Sequence, residues 1–189
     1  MRAMIRAACF IAVSAVAVYA SRATLRRPPS HGFYRLFAWE FVVVLILVNF
    51  RSFAQWFGDP VSARQLASWF LLLLSLLPLG LGVHLLRSSG QANAQRRSDP
   101  ALFPIERTTR LVTTGVFGYI RHPLYASLLL LTWGVFLKRP SWIGAGLGIG
   151  SSVLLLATAI AEEHENVRYF GLTYEAYLRN TKRFIPFLF

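Results

Sequence analysis

Cysteine is nearly absent: Cys9, inside the first apolar stretch, is the single one in 189 residues. That excludes a disulfide framework and a cysteine metal site, and no metal is expected. Charge is scarce as well, at 15% of residues against about 25% in an ordinary soluble domain, while 55% are hydrophobic. Together with a positive mean hydropathy, this excludes a conventional water-soluble fold and predicts one membrane domain over 1–189. What charge there is lies on one side of the ledger, 20 Lys and Arg against 8 Asp and Glu for a net +12. The basic residues are interrupted by apolar runs, and no aromatic-basic recognition module accompanies them, so nucleic acid is not the expected partner. Membrane lipid headgroups and the positive-inside rule account for them more simply. A protein partner is not indicated, and no long internal repeat is visible.

A membrane-crossing helix needs about 20 mostly apolar residues. Stretches near that length are Met4–Ala20, Tyr34–Phe50, Leu66–Leu86, the shorter Leu124–Leu137, and Trp142–Ala161. The expected fold is therefore an all-α membrane protein with about five transmembrane helices and a cytosolic C-terminal helical segment. In this division 1–86 hold three N-terminal spans, 87–123 a cytosolic loop, 124–161 a helical hairpin and 162–189 the C-terminal segment. If the segments before the second span and after the third and fifth share a side, that side carries fourteen of the 20 basic residues. The bias predicts a multi-pass protein with its N-terminus outside and its C-terminus cytosolic. Arg2 and Arg6 before an apolar run ending near Tyr19-Ala20-Ser21 also outline a signal peptide, a reading that four further spans disfavour.

Pro78 and Gly80 are expected to kink or loosen the third span. Residues 88–100 are polar enough to be mobile, and could lie over a bound ligand as a lid. Arg110 to Ile120 mixes β-branched and aromatic residues with Gly115 and Gly118, the composition of an ordered loop. Lys138-Arg139-Pro140-Ser141 is short enough to force an antiparallel hairpin, which returns Glu162-Glu163 to the surface where Arg121-His122-Pro123-Leu124-Tyr125 begins. Pro123 suits the first turn of a helix. Arg121 and His122 then stand at a helix mouth, where free N–H groups and the dipole favour an anion such as a carboxylate or phosphate. Glu162 and Glu163, at the end of the fifth span, would hold a cation. Facing one another, the two clusters suit a zwitterionic ligand, with Arg121, Glu162 and Glu163 as catalytic candidates. Taken singly, each motif also reads as an interfacial anchor or a solvated helix end.

Glu40, an acid within the second span, is a candidate for substrate binding, since an intramembrane acid is costly without a purpose. His84 and Asn49 read as hydrogen-bonded bundle residues. Gly144, Gly146, Gly148 and Gly150 imitate a dinucleotide-binding run, yet no strand precedes them, so close helix packing is expected instead.

Two blocks carry a family likeness. The first is Leu111-Val112-Thr113-Thr114-Gly115-Val116-Phe117 leading into Arg121 to Tyr125. The second is Glu162-Glu163, then Phe170-Gly171-Leu172-Thr173-Tyr174-Glu175-Ala176-Tyr177 and Arg183-Phe184-Ile185-Pro186. Over 109–189 the chain resembles the isoprenylcysteine carboxyl methyltransferase and phospholipid methyltransferase group of integral membrane enzymes. The resemblance implies S-adenosylmethionine as methyl donor and a lipophilic small molecule or lipid as acceptor, with an isoprenylcysteine-like carboxylate, a lipid amine or a thiol in view. It implies donor contacts from Thr109, Arg110, Leu111, Val112, Phe117, His122, Pro123, Leu124, Tyr125 and Glu162. In the carboxyl methyltransferase branch an Arg one turn before the acidic pair engages the acceptor; here that substrate-binding position is Thr158. Where that pattern has Gly two positions after the Tyr, this chain has Ser127. Two other classes stay open: an NADPH-dependent sterol-type membrane reductase, which shares the Arg-His-Pro-x-Tyr region, and a non-enzymatic lipid-binding protein.

Overall fold

The computed structural model describes residues 2–22, 24, 25, 28, 30–50, 56–89 and 110–188. Among these the chain is helical, with α1 at Arg2–Ser21, α2 at His31–Asn49, α3 at Ala63–Ser89, α4 at Pro123–Lys138, α5 at Trp142–Phe170 and α6 at Leu172–Asn180. A 3₁₀ turn spans Gly115–Gly118, and the only β-type pairing among the described residues is an isolated parallel bridge between Ile120 and Lys182. Among the described residues three helices are long and apolar enough to cross a membrane: α2, α3 and α5. The first and fourth expected spans are also helical, as the 20 residues of α1 and the 16 of α4.

Local chemistry sets the helix limits. Pro123 occupies the first turn of α4, where its missing N–H costs nothing. Ser141 caps α5 by accepting the Gly144 N–H at 3.0 Å. Gly171, at φ 58° and ψ −137°, ends α5 and starts α6 in a backbone conformation that side chains avoid. α3 runs on through Pro78 without a break.

Packing follows two pairs, α3 along α4 and α2 along α5, with the α4–α5 hairpin contact less extensive than either. At the end of the α3–α4 pair remote from Arg121, a buried polar clamp fixes the register. Ser68 Oγ donates to the Gly134 carbonyl at 2.7 Å, Asn49 Nδ2 to that of Val135 at 3.1 Å, and Lys138 Nζ to Gln65 Oε1 at 2.9 Å. Lys138 also lies 3.3 Å from the centre of the Trp69 ring, a close cation–π contact. Asn49 is thus the bundle residue it was expected to be. His84 is not: it lies on the exposed face of α3, because the buried side of that helix is confined to Gln65, Ser68, Ser75, Pro78 and Gly82.

The glycine run of α5 serves close approach. A Cβ at Gly150 would fall 2.5 Å from the Phe41 ring of α2, and one at Gly144 would stand 3.3 Å from Phe136. Only Gly146 faces open space among the four. The shared core lies where α2, α4 and α5 meet, around Ala38, Tyr125, Ala126, Leu155 and Ala159, with Ile120 and Phe184 closing its end beside the site.

Candidate active site

Hydropathy places the end of the fifth span at Ala161, but the helix itself continues to Phe170. Glu162 and Glu163 therefore sit inside α5, not at its end, away from the unsatisfied carbonyls of its last turn. Successive residues on a helix point about 100° apart, so the two neighbouring acids face different surroundings.

Glu163 is buried and fully engaged. Its Oε1 accepts from Arg121 Nε at 2.9 Å and Arg183 Nε at 3.1 Å, with His122 Nε2 at 3.3 Å. Its Oε2 accepts from an Arg183 terminal nitrogen at 2.7 Å. Hydrogen bonding to Glu163 in turn holds the Arg183 guanidinium above its ordinary pKa. Arg121 also donates to the carbonyls of Leu178, at 3.3 Å, and Thr181, so it closes the C-terminal end of α6. The two charge clusters expected at opposite ends of a zwitterion site are thus in direct contact. Buried charges demand partners, and the ones nearest to hand are each other.

Glu162 takes the other direction. It accepts from the Tyr125 hydroxyl at 2.6 Å and lies 3.7 Å from His122 Nδ1, whose ring stacks on that of Tyr125 with centroids 5.4 Å apart. Its carboxylate opens onto a cavity walled by Leu111, Val112 and Phe117, by Arg121 to Tyr125, and by Leu86 of α3. Asn166 and Phe170 complete the α5 wall, and Tyr174 and Tyr177 come from α6. Phe170 stacks on Tyr174 at 6.3 Å, and Tyr177 donates its hydroxyl to the Phe117 carbonyl at 2.6 Å. Burial pushes the Tyr174 and Tyr177 hydroxyls well above the usual phenol range, so both remain donors. At about 80 Å³ the cavity is smaller than the roughly 300–1,000 Å³ of typical small-molecule sites.

Eight of the expected donor contacts, Leu111, Val112, Phe117, His122 to Tyr125 and Glu162, line this one cavity, as does Arg121. Arg110 is exposed and outside the lining, and Thr109 and 90–108 fall outside the described residues. Glu40 stands apart, accepting from Ser14 Oγ of α1 at 2.6 Å. Thr158 is buried one turn below Glu162, its hydroxyl donating to the Leu154 carbonyl of its own helix at 2.7 Å. Leu86, Asn166, Phe170, Tyr174, Tyr177 and the Glu163 partner Arg183 were not expected in the site. Asn166 and Phe170 had a readable signal, since they follow Glu162 at helical spacing on one face. Arg183 stood in the second family block, but its pairing with Glu163 had no signal, because only tertiary structure brings the two together.

The tail reaches the site through backbone pairing. Arg121 N donates to the Lys182 carbonyl at 2.8 Å, His122 N to that of Arg183 at 3.1 Å, and Lys182 N to that of Tyr119 at 3.0 Å. A Cβ at Gly115, φ 59°, would meet Leu85 at 2.7 Å, so the 3₁₀ turn lies directly on α3.

No curated protein and no solved structure matches the chain. The family model for phospholipid methyltransferase matches residues 69–172, more than half of it. That match runs from α3 through the whole of α4 and α5 and encloses both Arg121 to Tyr125 and Glu162-Glu163. The chain belongs to the phospholipid methyltransferase family.

Proposed function

We propose that the chain is an S-adenosylmethionine-dependent integral membrane methyltransferase that alkylates a small lipophilic acceptor at the cytosolic face. The observation that carries this reading is the position of Glu162: an ionisable acid opening onto an aromatic-walled cavity, within the part of the chain the family model matches. A ligand with a cationic centre suits such a pocket, because aromatic faces attract cations and the carboxylate supplies the opposite charge. The residues present fit the donor: Glu162 and Asn166 would hold its amino acid end, and Phe117, Phe170 and Tyr174 would pack on its rings and sulfonium. When bound, the donor would supply an activated methyl group for transfer to the acceptor. What the protein contributes is orientation and exclusion of water, together worth several orders of magnitude in rate.

The acceptor would approach through the apolar groove of about 930 Å³ between α3, α4, α5 and the tail, which reaches Val116, Ile120 and Phe184 beside the site. Its lining holds no charged side chain, and its one hydroxyl, Ser152, already donates to Gly148 and accepts from Trp133. With Thr158 also committed to its own helix, a carboxylate acceptor would shed its water there without meeting a cation, at a cost of several kcal/mol. A lipid amine, neutral at the moment of attack, suits the groove better than either a carboxylate or a thiol, which attacks as its thiolate.

Thermal stabilisation of the purified protein separates this reading from the reductase and lipid-binding alternatives. A ligand present at about 100 times its Kd stabilises the native state by about 2.7 kcal/mol. S-adenosylhomocysteine is expected to shift the unfolding midpoint and NADPH to leave it unmoved. A shift with NADPH alone would identify a reductase, and none with either would leave a lipid-binding protein.

A further inference from the structure

On the far side of α5 from Glu162 lies a second cleft, of about 610 Å³, between that helix and the start of α2. Along α5 its lining changes character, from Ala157, Ile160 and Ala161 to His164 and Arg168. At 1.5 Å per residue the distance from Ala157 to Arg168 is about 16 Å, so an apolar floor grades into a basic mouth where a membrane-crossing helix leaves its apolar stretch. Neither His164 nor Arg168 has a hydrogen-bond or ion-pair partner among the described residues, and both are exposed. On the α2 side the cleft is lined by Tyr34 and Ser30, and the Ser30 hydroxyl oxygen is buried with no partner. The acid in the lining, Glu165, is already taken: it accepts the His31 backbone N–H at 3.1 Å and contacts His31 Nδ1 at 2.5 Å. What remains uncommitted is two basic side chains and a buried hydroxyl above an apolar floor.

We propose that this cleft binds a membrane phospholipid, with its phosphate held by Arg168, His164 and the Ser30 hydroxyl and its chain lying along Ala157 and Ile160. Arg matches phosphate geometry with paired N–H donors, and a juxtamembrane basic residue favours anionic lipid by about 1 kcal/mol. Because the cleft and the Glu162 cavity lie on opposite faces of α5, this site does not depend on methyl transfer. The bound lipid would bridge the start of α2 to α5 beside the His31–Glu165 contact.

Native mass spectrometry of the full-length protein in detergent, titrated with phosphatidylglycerol, tests the site. Phosphatidylglycerol is expected to be retained, and diacylglycerol of the same chains, which lacks the phosphate, to be lost. Arg168→Gln and His164→Gln should each weaken retention about fivefold. Arg179→Gln, which removes the same charge from the exposed face of α6, should have no effect, and S-adenosylhomocysteine affinity should be unchanged in all three. Equal retention of diacylglycerol, unchanged retention in Arg168→Gln, or an equal loss in Arg179→Gln would each overturn the proposal. Displacement of the lipid by inorganic phosphate at matching concentration would do so too, by showing a site for free phosphate.

Discussion

Adjacent acids of identical chemistry should respond in opposite ways to mutation. Glu163 accepts from Arg121, His122 and two nitrogens of Arg183, and is 6% exposed. Truncation in Glu163→Ala leaves the Arg121 guanidinium, 9% exposed, without its counter-charge. Removing one partner from a buried ion pair costs about 3–5 kcal/mol, most of it from the stranded charge. For a chain of about 150–250 residues each kcal/mol moves the midpoint by about 2–4 °C, so a fall of roughly 6–20 °C is expected. Glu162→Gln keeps an oxygen to accept from Tyr125 and loses only the charge presented to the cavity. Its midpoint should fall by much less, while S-adenosylhomocysteine affinity drops about 10- to 100-fold, the worth of a hydrogen bond to a charged group. Differential scanning fluorimetry in detergent and isothermal titration read the two quantities separately. A Glu163→Ala protein melting within about 2 °C of wild type, or a Glu162→Gln protein with undiminished affinity, refutes the division of labour.

Tyr177→Phe should lose about 1–3 kcal/mol, because the buried Phe117 carbonyl forfeits the hydroxyl at 2.6 Å, and should weaken donor affinity by loosening the 3₁₀ turn; melting and titration check both. Gly134→Ala should cost about 1–3 kcal/mol by overpacking, since its Cβ would stand 2.9 Å from Leu72 Cγ and 3.2 Å from the Leu72 backbone nitrogen. Gly146→Ala should instead stabilise by about 0.5–1 kcal/mol, because nothing lies within 4 Å and the helix gains propensity. Chemical denaturation of the pair gives the two signs, and stabilisation by Gly134→Ala would contradict the close α3–α4 approach.

Hydropathy located most of the architecture because the apolar content of a helix that faces lipid is written along the chain. It marks where apolar residues end, however, and not where backbone hydrogen bonding ends. α5 therefore outruns its expected limit at Ala161, carrying Glu162, Glu163 and Asn166 before Gly171 stops it. The short linker at 138–141 did foretell that Glu162-Glu163 would return to Arg121-His122, since a hairpin has no other way to close. What it could not foretell was direct contact between them. Desolvated charges collapse onto one another unless something intervenes, and the groups that settle the balance, Arg183 and the α6 carbonyls, arrive from another part of the fold. His84 misled because an apolar neighbourhood in sequence reads alike whether a residue faces the bundle or the exterior.

Proline in the Arg121-His122-Pro123 run does more than begin a helix. The residue before a proline is held out of the helical region, and His122 accordingly has φ −122° and ψ 63°. Had α4 begun one turn earlier, the N–H groups of Arg121 and His122 would lie within its first turn, pointing along the helix axis. Kept outside the helix, they reach sideways to the carbonyls of Lys182 and Arg183 at 2.8 and 3.1 Å. This pairing brings the tail alongside the start of α4, and with it the Arg183 side chain to Glu163. With Glu163 neutralised on one face of α5, Glu162 remains as the carboxylate turned toward the cavity. The helix start, the docking of the tail and the partition of the two acids are therefore one structural event, and a change that frees the tail would unsettle all three.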